Sequence, residues 1–142
     1  MKKTILNLKV LKIEHDGFHL AAKILVNRKS ALMVLDTGAS RTVFDKNRIG
    51  RFSRETKFRK SEQQSAGLGT STMKSHFTAL KKISLGKISI ADYDAVLLDL
   101  SHVNKAYAGI GLPEVDGVLG NDILVKFRAK IDYGKKKLEL FY

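Results

Sequence analysis

The chain contains no cysteine. That absence excludes disulfides and thiolate metal sites, so a fold of 142 residues must stand on its hydrophobic core alone. Proline is nearly absent too: only Pro113 occurs, and no proline- or serine-rich stretch is present, which argues against a long disordered segment. No apolar run approaches the roughly 18 residues a membrane span needs. The start, Met1-Lys2-Lys3, looks like the basic end of a signal peptide. Asn7 and Lys9 then interrupt the apolar stretch, and no small-residue cleavage site follows. The segment therefore reads as a first strand, and a cytoplasmic location is expected. Acidic side chains are scarce: 14 Asp and Glu stand against 26 Lys and Arg, a net charge of +12. Such a surplus attracts polyanions and acidic partners.

The basic residues are spread along the chain, in Lys2-Lys3, Arg28-Lys29, the 57–60 run, Lys81-Lys82 and the 135–137 run. Aromatics are few and read as core-facing, apart from Phe52 and Phe58. Nucleic-acid readers concentrate charge and interleave aromatics on one platform. A solvated basic surface is thus favoured over a nucleic-acid partner. The 44% hydrophobic and 28% charged content is that of a soluble globular protein, and the length fits a single domain over residues 1–142.

Strand-like alternation dominates. Residues 5–13 alternate with lysines, Asp16-Gly17 makes a turn, and Phe18 to Val26 returns. After a turn at 27–30, Ala31 to Leu35 is fully apolar, as strands buried on both faces are. Thr42-Val43-Phe44 is another short apolar piece. Residues 45–64 read as an exposed loop with some short helix, and Ser65 to Thr72 as a hairpin tip carrying Gly67 and Gly69. Strands are expected at 77–85, 88–90, 95–100 and 115–119, with a loop over 101–114. Asn121 can cap a short helix through Phe127, and the tail forms a hairpin about Gly134-Lys135. The sum is a mostly β, small barrel or sandwich with one short helix.

Chemistry concentrates at Leu32-Met33-Val34-Leu35-Asp36-Thr37-Gly38-Ala39-Ser40. A buried strand ending in Asp-Thr-Gly sets a carboxylate on a tight turn, and Gly38 permits close approach of backbone or substrate. By itself the triplet reads more readily as an ordinary strand-end turn. The flanks change that. Four apolar residues precede it, Ala-Ser follows, and Asp116-Gly117-Val118-Leu119-Gly120-Asn121-Asp122-Ile123-Leu124 appears downstream.

These two blocks, in this order, resemble the retropepsin-like aspartic proteases, which include retroviral proteases and small cellular and bacterial relatives. The resemblance implies a small closed β-barrel-like acid-protease fold with one short C-terminal helix and a flap hairpin. It implies an aspartic endopeptidase acting on a peptide or protein substrate, with no metal or other cofactor and no membrane partner. Asp36 matches the catalytic aspartate, Thr37 the threonine that bonds across a dimer, and Gly38 the glycine whose carbonyl contacts substrate. Ala39, Ser40 and Val118 fall beside the substrate, and Gly67, Leu68 and Gly69 in the flap. The closing hairpin is expected to give strands to the dimer sheet. Retroviral members commonly carry Asp at the place of Ser40 and Arg at that of Asn121, so their bracing ion pair is absent here.

Peptide hydrolysis needs a base to activate water and an acid to polarise the carbonyl. Two close carboxylates that share one proton supply both. The chain has one Asp-Thr-Gly, so a homodimer that brings two copies of Asp36 together is the simple solution. A non-catalytic peptide-binding module on the same fold and a basic nucleic-acid-associated protein are the alternatives. Other constellations are weaker. His15 and His19 are four apart but fall on strands around a turn, not on a helix suited to zinc. Gly67-x-Gly69 and Gly109-x-Gly111 lack a third glycine, and Asp92-x-Asp94 lacks the rest of a calcium loop.

Overall fold

A computed structural model describes residues 1–53, 59–64 and 74–142. Strand β1 (Lys3–Lys12) begins with strict alternation, burying Thr4, Leu6 and Leu8 and exposing Lys3, Ile5 and Asn7. The phase breaks at Lys9 and Val10, both exposed. There the strand changes partner. Lys3–Asn7 pair with the C-terminal strand, whereas Leu8–Lys12 pair with β2 (Phe18–Val26). Leu6 and Leu8 accordingly enter the main core, and Leu11 a second, smaller cluster with Ala21, Leu32, Tyr107 and Val115.

β2 and β3 (Lys29–Leu35) form a hairpin joined by Asn27 and Arg28, both at positive φ (47° and 70°). That is the two-residue turn whose twist matches its strands. β3 is buried on both faces, as its unbroken apolar sequence implies. Ala31 and Met33 enter the main core, while Leu32 enters the smaller cluster.

The remaining strands are β4 (Val43–Asp45), β5 (Arg59–Gln64), β6 (Lys74–Leu85), β7 (Ile88–Leu98), β8 (Gly117–Leu119), β9 (Lys130–Asp132) and β10 (Lys137–Phe141). Their order β6-β7-β4-β8-β3-β2, with β2 returning to pair β6, closes a six-stranded barrel. β3–β8 and β4–β7 are parallel; the other barrel pairs are antiparallel. β1, β10 and β9 extend the sheet from β2. Helix α1 spans Ser101–Gly109, α2 spans Asn121–Lys126, and a 3-10 turn covers Ile49–Arg51.

Four expectations need correction. Residues 101–109 are helical rather than part of a loop, so there are two α-helices and not one. The strands expected at 88–90 and 95–100 are one strand, β7, which passes through Asp92 at φ 52° without ending. Phe52 is core rather than surface, at 6% exposure, and residues 59–64 form a strand within the expected loop. β10 already has β1 on one side and β9 on the other, so the closing hairpin's outward edge is that of β9. None of the helices among the described residues is long and apolar enough to cross a membrane.

Candidate active site

Asp36 is the first residue beyond β3, and it remains tied to β8: its amide donates to the Leu119 carbonyl at 3.1 Å. The chain then turns sharply. Gly38 N–H donates to Asp36 Oδ1 at 2.8 Å, and Ala39 N–H donates to the Asp36 carbonyl at 3.2 Å. A side chain at residue 38 would place its Cβ 3.2 Å from Asp36 Oδ1, so glycine keeps room around the carboxylate. Asp36, Thr37, Gly38 and Ser40 are exposed, and Ala39 is half-buried.

The second sequence block lies directly beneath this loop. Gly120 caps α2 in an extended conformation. A Cβ there would lie 2.5 Å from both the carbonyl carbon and the oxygen of Arg41, and one at Gly117 would lie 2.3 Å from the Val43 carbonyl oxygen. Both glycines are therefore fixed by backbone contact. From α2, Asn121 N–H donates to the Ala39 carbonyl (2.8 Å), and the Asn121 side-chain amide donates to the Thr37 carbonyl (2.7 Å). Asp122 Oδ1 accepts from Thr42 N–H, Thr42 Oγ1 and Ile123 N–H, each at 2.8 Å, while Gly120 N–H donates to Thr42 Oγ1 at 3.0 Å.

The loop is thus braced without an ion pair. Neutral Asn121 holds its tip, and Asp122 holds its exit. The sequence showed the missing pair but not this replacement, because a carboxylate bonded to amides and a threonine hydroxyl has no opposite charge to pair with in the sequence. Tyr93 of β7 flanks the same network. Burial, then the Asp122 carboxylate, push its phenol up to about 12, against smaller lowering by Thr42 and Arg41.

The other internal carboxylates have structural partners. Asp116, 4% exposed, accepts from Leu32 N–H (2.9 Å), Arg48 Nε (2.8 Å) and Arg51 Nη1 (2.7 Å). Buried Asp45 accepts from Asn47 N–H, Leu100 N–H and Asn104 Nδ2, each at 3.1 Å. Both are satisfied inside the fold, as a buried carboxylate must be. Asp36 is instead presented outward with one local amide bond.

A cavity of about 540 Å³ opens beside Asp36 and Thr37. Phe18, Leu20 and Leu35 form its apolar side, and Ile131 and Tyr133 bring in the C-terminal hairpin. Phe18 and Tyr133 are 56% and 72% exposed. His19, also on its rim, places Nδ1 2.6 Å from the hydroxyl of Tyr107, a residue of α1 whose phenol burial pushes up. Val118 sits in β8 between Val34 and Val43, half-buried and away from this cavity. Gly67, Leu68 and Gly69 lie outside the described residues. Among the described residues no group of three or more His, Asp or Glu side chains is placed to hold a metal ion.

A closed six-stranded barrel with an Asp-Thr-Gly turn at the end of a buried strand, seated on a Gly-initiated helix, is the retropepsin-like acid-protease fold. The chain belongs to the aspartyl protease family, whose model matches residues 22–123, from β2 into α2. Solved structures that resemble it include the following three. A retropepsin-like aspartic protease from Rickettsia conorii superposes with a TM-score of 0.56 at 20% identity, over 98% of this chain and 90% of that one. The retroviral protease-like domain of Ddi1 from Leishmania major gives 0.56 at 14% identity, over 86% and 87% of the two chains. EIAV protease, solved with the inhibitor HBY-793, gives 0.58 at 19% identity, over 86% of this chain and 99% of that one. At such identities the likeness is one of fold. No curated protein matches the chain in sequence.

Proposed function

We propose that this chain is one half of a homodimeric aspartic endopeptidase, with Asp36 as its catalytic carboxylate. The observation that carries the reading is the contrast among carboxylates. Asp45 and Asp116 are buried and fully bonded, whereas Asp36 stands exposed on a braced turn beside an open apolar cavity.

In the dimer, two Asp36 carboxylates about 3 Å apart share one proton, because ionising both would set like charges side by side. The ionised one takes a proton from a water held between them, and the water oxygen attacks the peptide carbonyl. The protonated one donates its proton to the carbonyl oxygen, giving a neutral gem-diol. The carboxyl protonated in the first step then gives its proton to the nitrogen while the other carboxylate takes one from a gem-diol hydroxyl, so the C–N bond breaks to an acid and an amine and the pair again shares one proton. The pair titrates as a unit. No step calls for a metal or an organic cofactor. Thr37, next to Asp36 on the loop, would bond to its counterpart across the two-fold axis. Gly38, Ala39 and Ser40 would meet the substrate backbone. The exposed apolar flank of Phe18 and Tyr133 and the open edge of β9 give a second copy a surface beside Asp36.

The test is Asp36→Asn. The variant should fold and dimerise as the parent does but lose cleavage of a peptide library, which the parent carries out near pH ~4–6, the window a proton-sharing carboxylate pair sets. Undiminished cleavage by the variant would refute the assignment.

A further inference from the structure

The barrel gathers charge that the sequence keeps apart. At the seam where β2 closes on β6, a second cavity of about 740 Å³ is lined by Arg28, Lys29, Arg51, Lys81 and Lys82, and no carboxylate lines it among the described residues. Arg28 comes from the β2–β3 turn, Lys29 from the first position of β3, Arg51 from the 3-10 turn, and Lys81 and Lys82 from β6. Asn27 holds these segments together: its side chain donates to the Phe52 carbonyl (3.0 Å) and accepts from Lys82 N–H (3.1 Å).

Two of the five cations have partners. Arg51 reaches Asp116, and Lys29 Nζ donates to the Arg51 carbonyl at 3.0 Å. Among the described residues Arg28, Lys81 and Lys82 have no side-chain partner, so they remain to meet a ligand. An open pocket that collects positive charge focuses its field on anions.

The surroundings narrow the anion. A compact phosphate is usually held by backbone N–H groups aimed at it. Here five of the lining amides are spent within the fold: Asn27 N–H bonds Lys82 O, Lys82 N–H bonds Asn27 Oδ1, and the Arg51, Phe52 and Ser53 amides bond Arg48 O and Ile49 O. A single-stranded nucleic acid needs an exposed aromatic on which to stack. The one aromatic of the lining, Phe52, is buried and covered by the Arg51 guanidinium, 5.2 Å from its ring centre. What remains is a set of separate side-chain cations, suited to carboxylates strung along an extended chain.

We propose that this pocket docks an acidic polypeptide segment and, resting on the peptidase reading above, that the segment belongs to the substrate. Lys29 and Leu35 are the two ends of β3, so the pocket and Asp36 lie about 20 Å apart at ~3.3 Å per residue. A substrate would therefore carry its acidic segment at least about six extended residues from the scissile bond.

Binding of a short fluorescent oligoglutamate peptide to the Asp36→Asn protein tests the pocket without cleavage. The double variant Lys81→Glu/Lys82→Glu should weaken binding roughly tenfold or more, and Arg28→Gln by less. Lys9→Glu/Lys12→Glu, the same charge change on exposed β1, should leave it within about twofold. Equal weakening by both double variants would overturn the proposal, as would tighter binding of tripolyphosphate or oligothymidylate at the same residues. In the wild type, an oligoglutamate tail should lower the KM of a cleaved peptide, and the Lys81/Lys82 variant should abolish that gain. If no peptide is cleaved at all, the peptidase reading fails while the binding result still decides the pocket.

Discussion

At Gly120 a single hydrogen atom separates a working turn from a clash. Its Cα lies so close to Arg41 and Ala39 that a methyl group would meet backbone atoms, which cannot rotate away as a side chain can. Gly120→Ala should therefore cost about 1–3 kcal/mol in a urea titration, the usual range for forced overpacking, and should displace the Asp36 loop. Gly109, at the end of α1 with nothing within 4 Å of its missing Cβ, is the control. Gly109→Ala should be neutral or stabilising by up to about 1 kcal/mol. Asp122 and Asn121 should separate in the same way. Asp122→Ala leaves the amide of buried Thr42 without an acceptor and should cost about 1–3 kcal/mol. Asn121→Ala removes one bond to an exposed carbonyl and should leave stability within about 1 kcal/mol of the parent, its larger effect falling on peptide cleavage.

Helix α1 is held by tertiary bonds more than by its own sequence. Its N-cap residue, Leu100, offers no side-chain oxygen, and the last turn holds no basic residue. Instead Asp99 Oδ1 accepts from Ser101 N–H at 2.9 Å and from Asn47 Nδ2 at 2.7 Å. These bonds, the one to Ser101 first, hold its carboxyl down to about 2. Because that value lies below the unfolded one, the stabilisation is present above about pH 4 and is lost as pH falls toward about 2. Asp99→Asn should flatten this acid limb in pH-dependent melting curves; an unchanged limb would show that Asp99 does not anchor the helix. Deeper in, Asn104 donates to Asp45 Oδ2 and the Val115 carbonyl and accepts from Val115 N–H at 2.7 Å.

The same bonds explain what was legible. The β2–β3 hairpin, the doubly buried β3, helix α2 and the C-terminal hairpin are written in local periodicity and turn residues. The Asp-Thr-Gly and Gly-Val-Leu-Gly blocks were legible as motifs. α1 was not, because its inward side chains include a polar Asn whose partners are 59 and 11 residues away. The continuity of β7 was hidden by Asp92, and the burial of Phe52 by the charged residues around it. The brace of Asn121 and Asp122, which uses no ion pair, depends on spatial contacts 80 or more residues apart.

At the scale of the whole molecule, closure of the barrel divides the surface into two ends. One presents Asp36 with an apolar flank, and the other gathers the cations of three separate segments. On the proposed mechanism the first end is only half of a site, since one carboxylate cannot be base and acid at once. Completion by a second copy would make activity depend on association, so specific activity should fall on dilution below the dimer dissociation constant. Sedimentation should show dimer wherever cleavage is seen, with monomer alone at an active concentration as the contrary result.

The central claim is that Asp36 is half of a site, and subunit mixing addresses it most directly. Wild-type chain allowed to exchange with a ninefold excess of Asp36→Asn chain should lose about nine-tenths of its cleavage rate per wild-type chain, because most wild-type chains then sit in dimers with only one carboxylate. A rate per wild-type chain that stays constant at every mixing ratio, with exchange verified, would mean that each Asp36 works alone and would contradict the account.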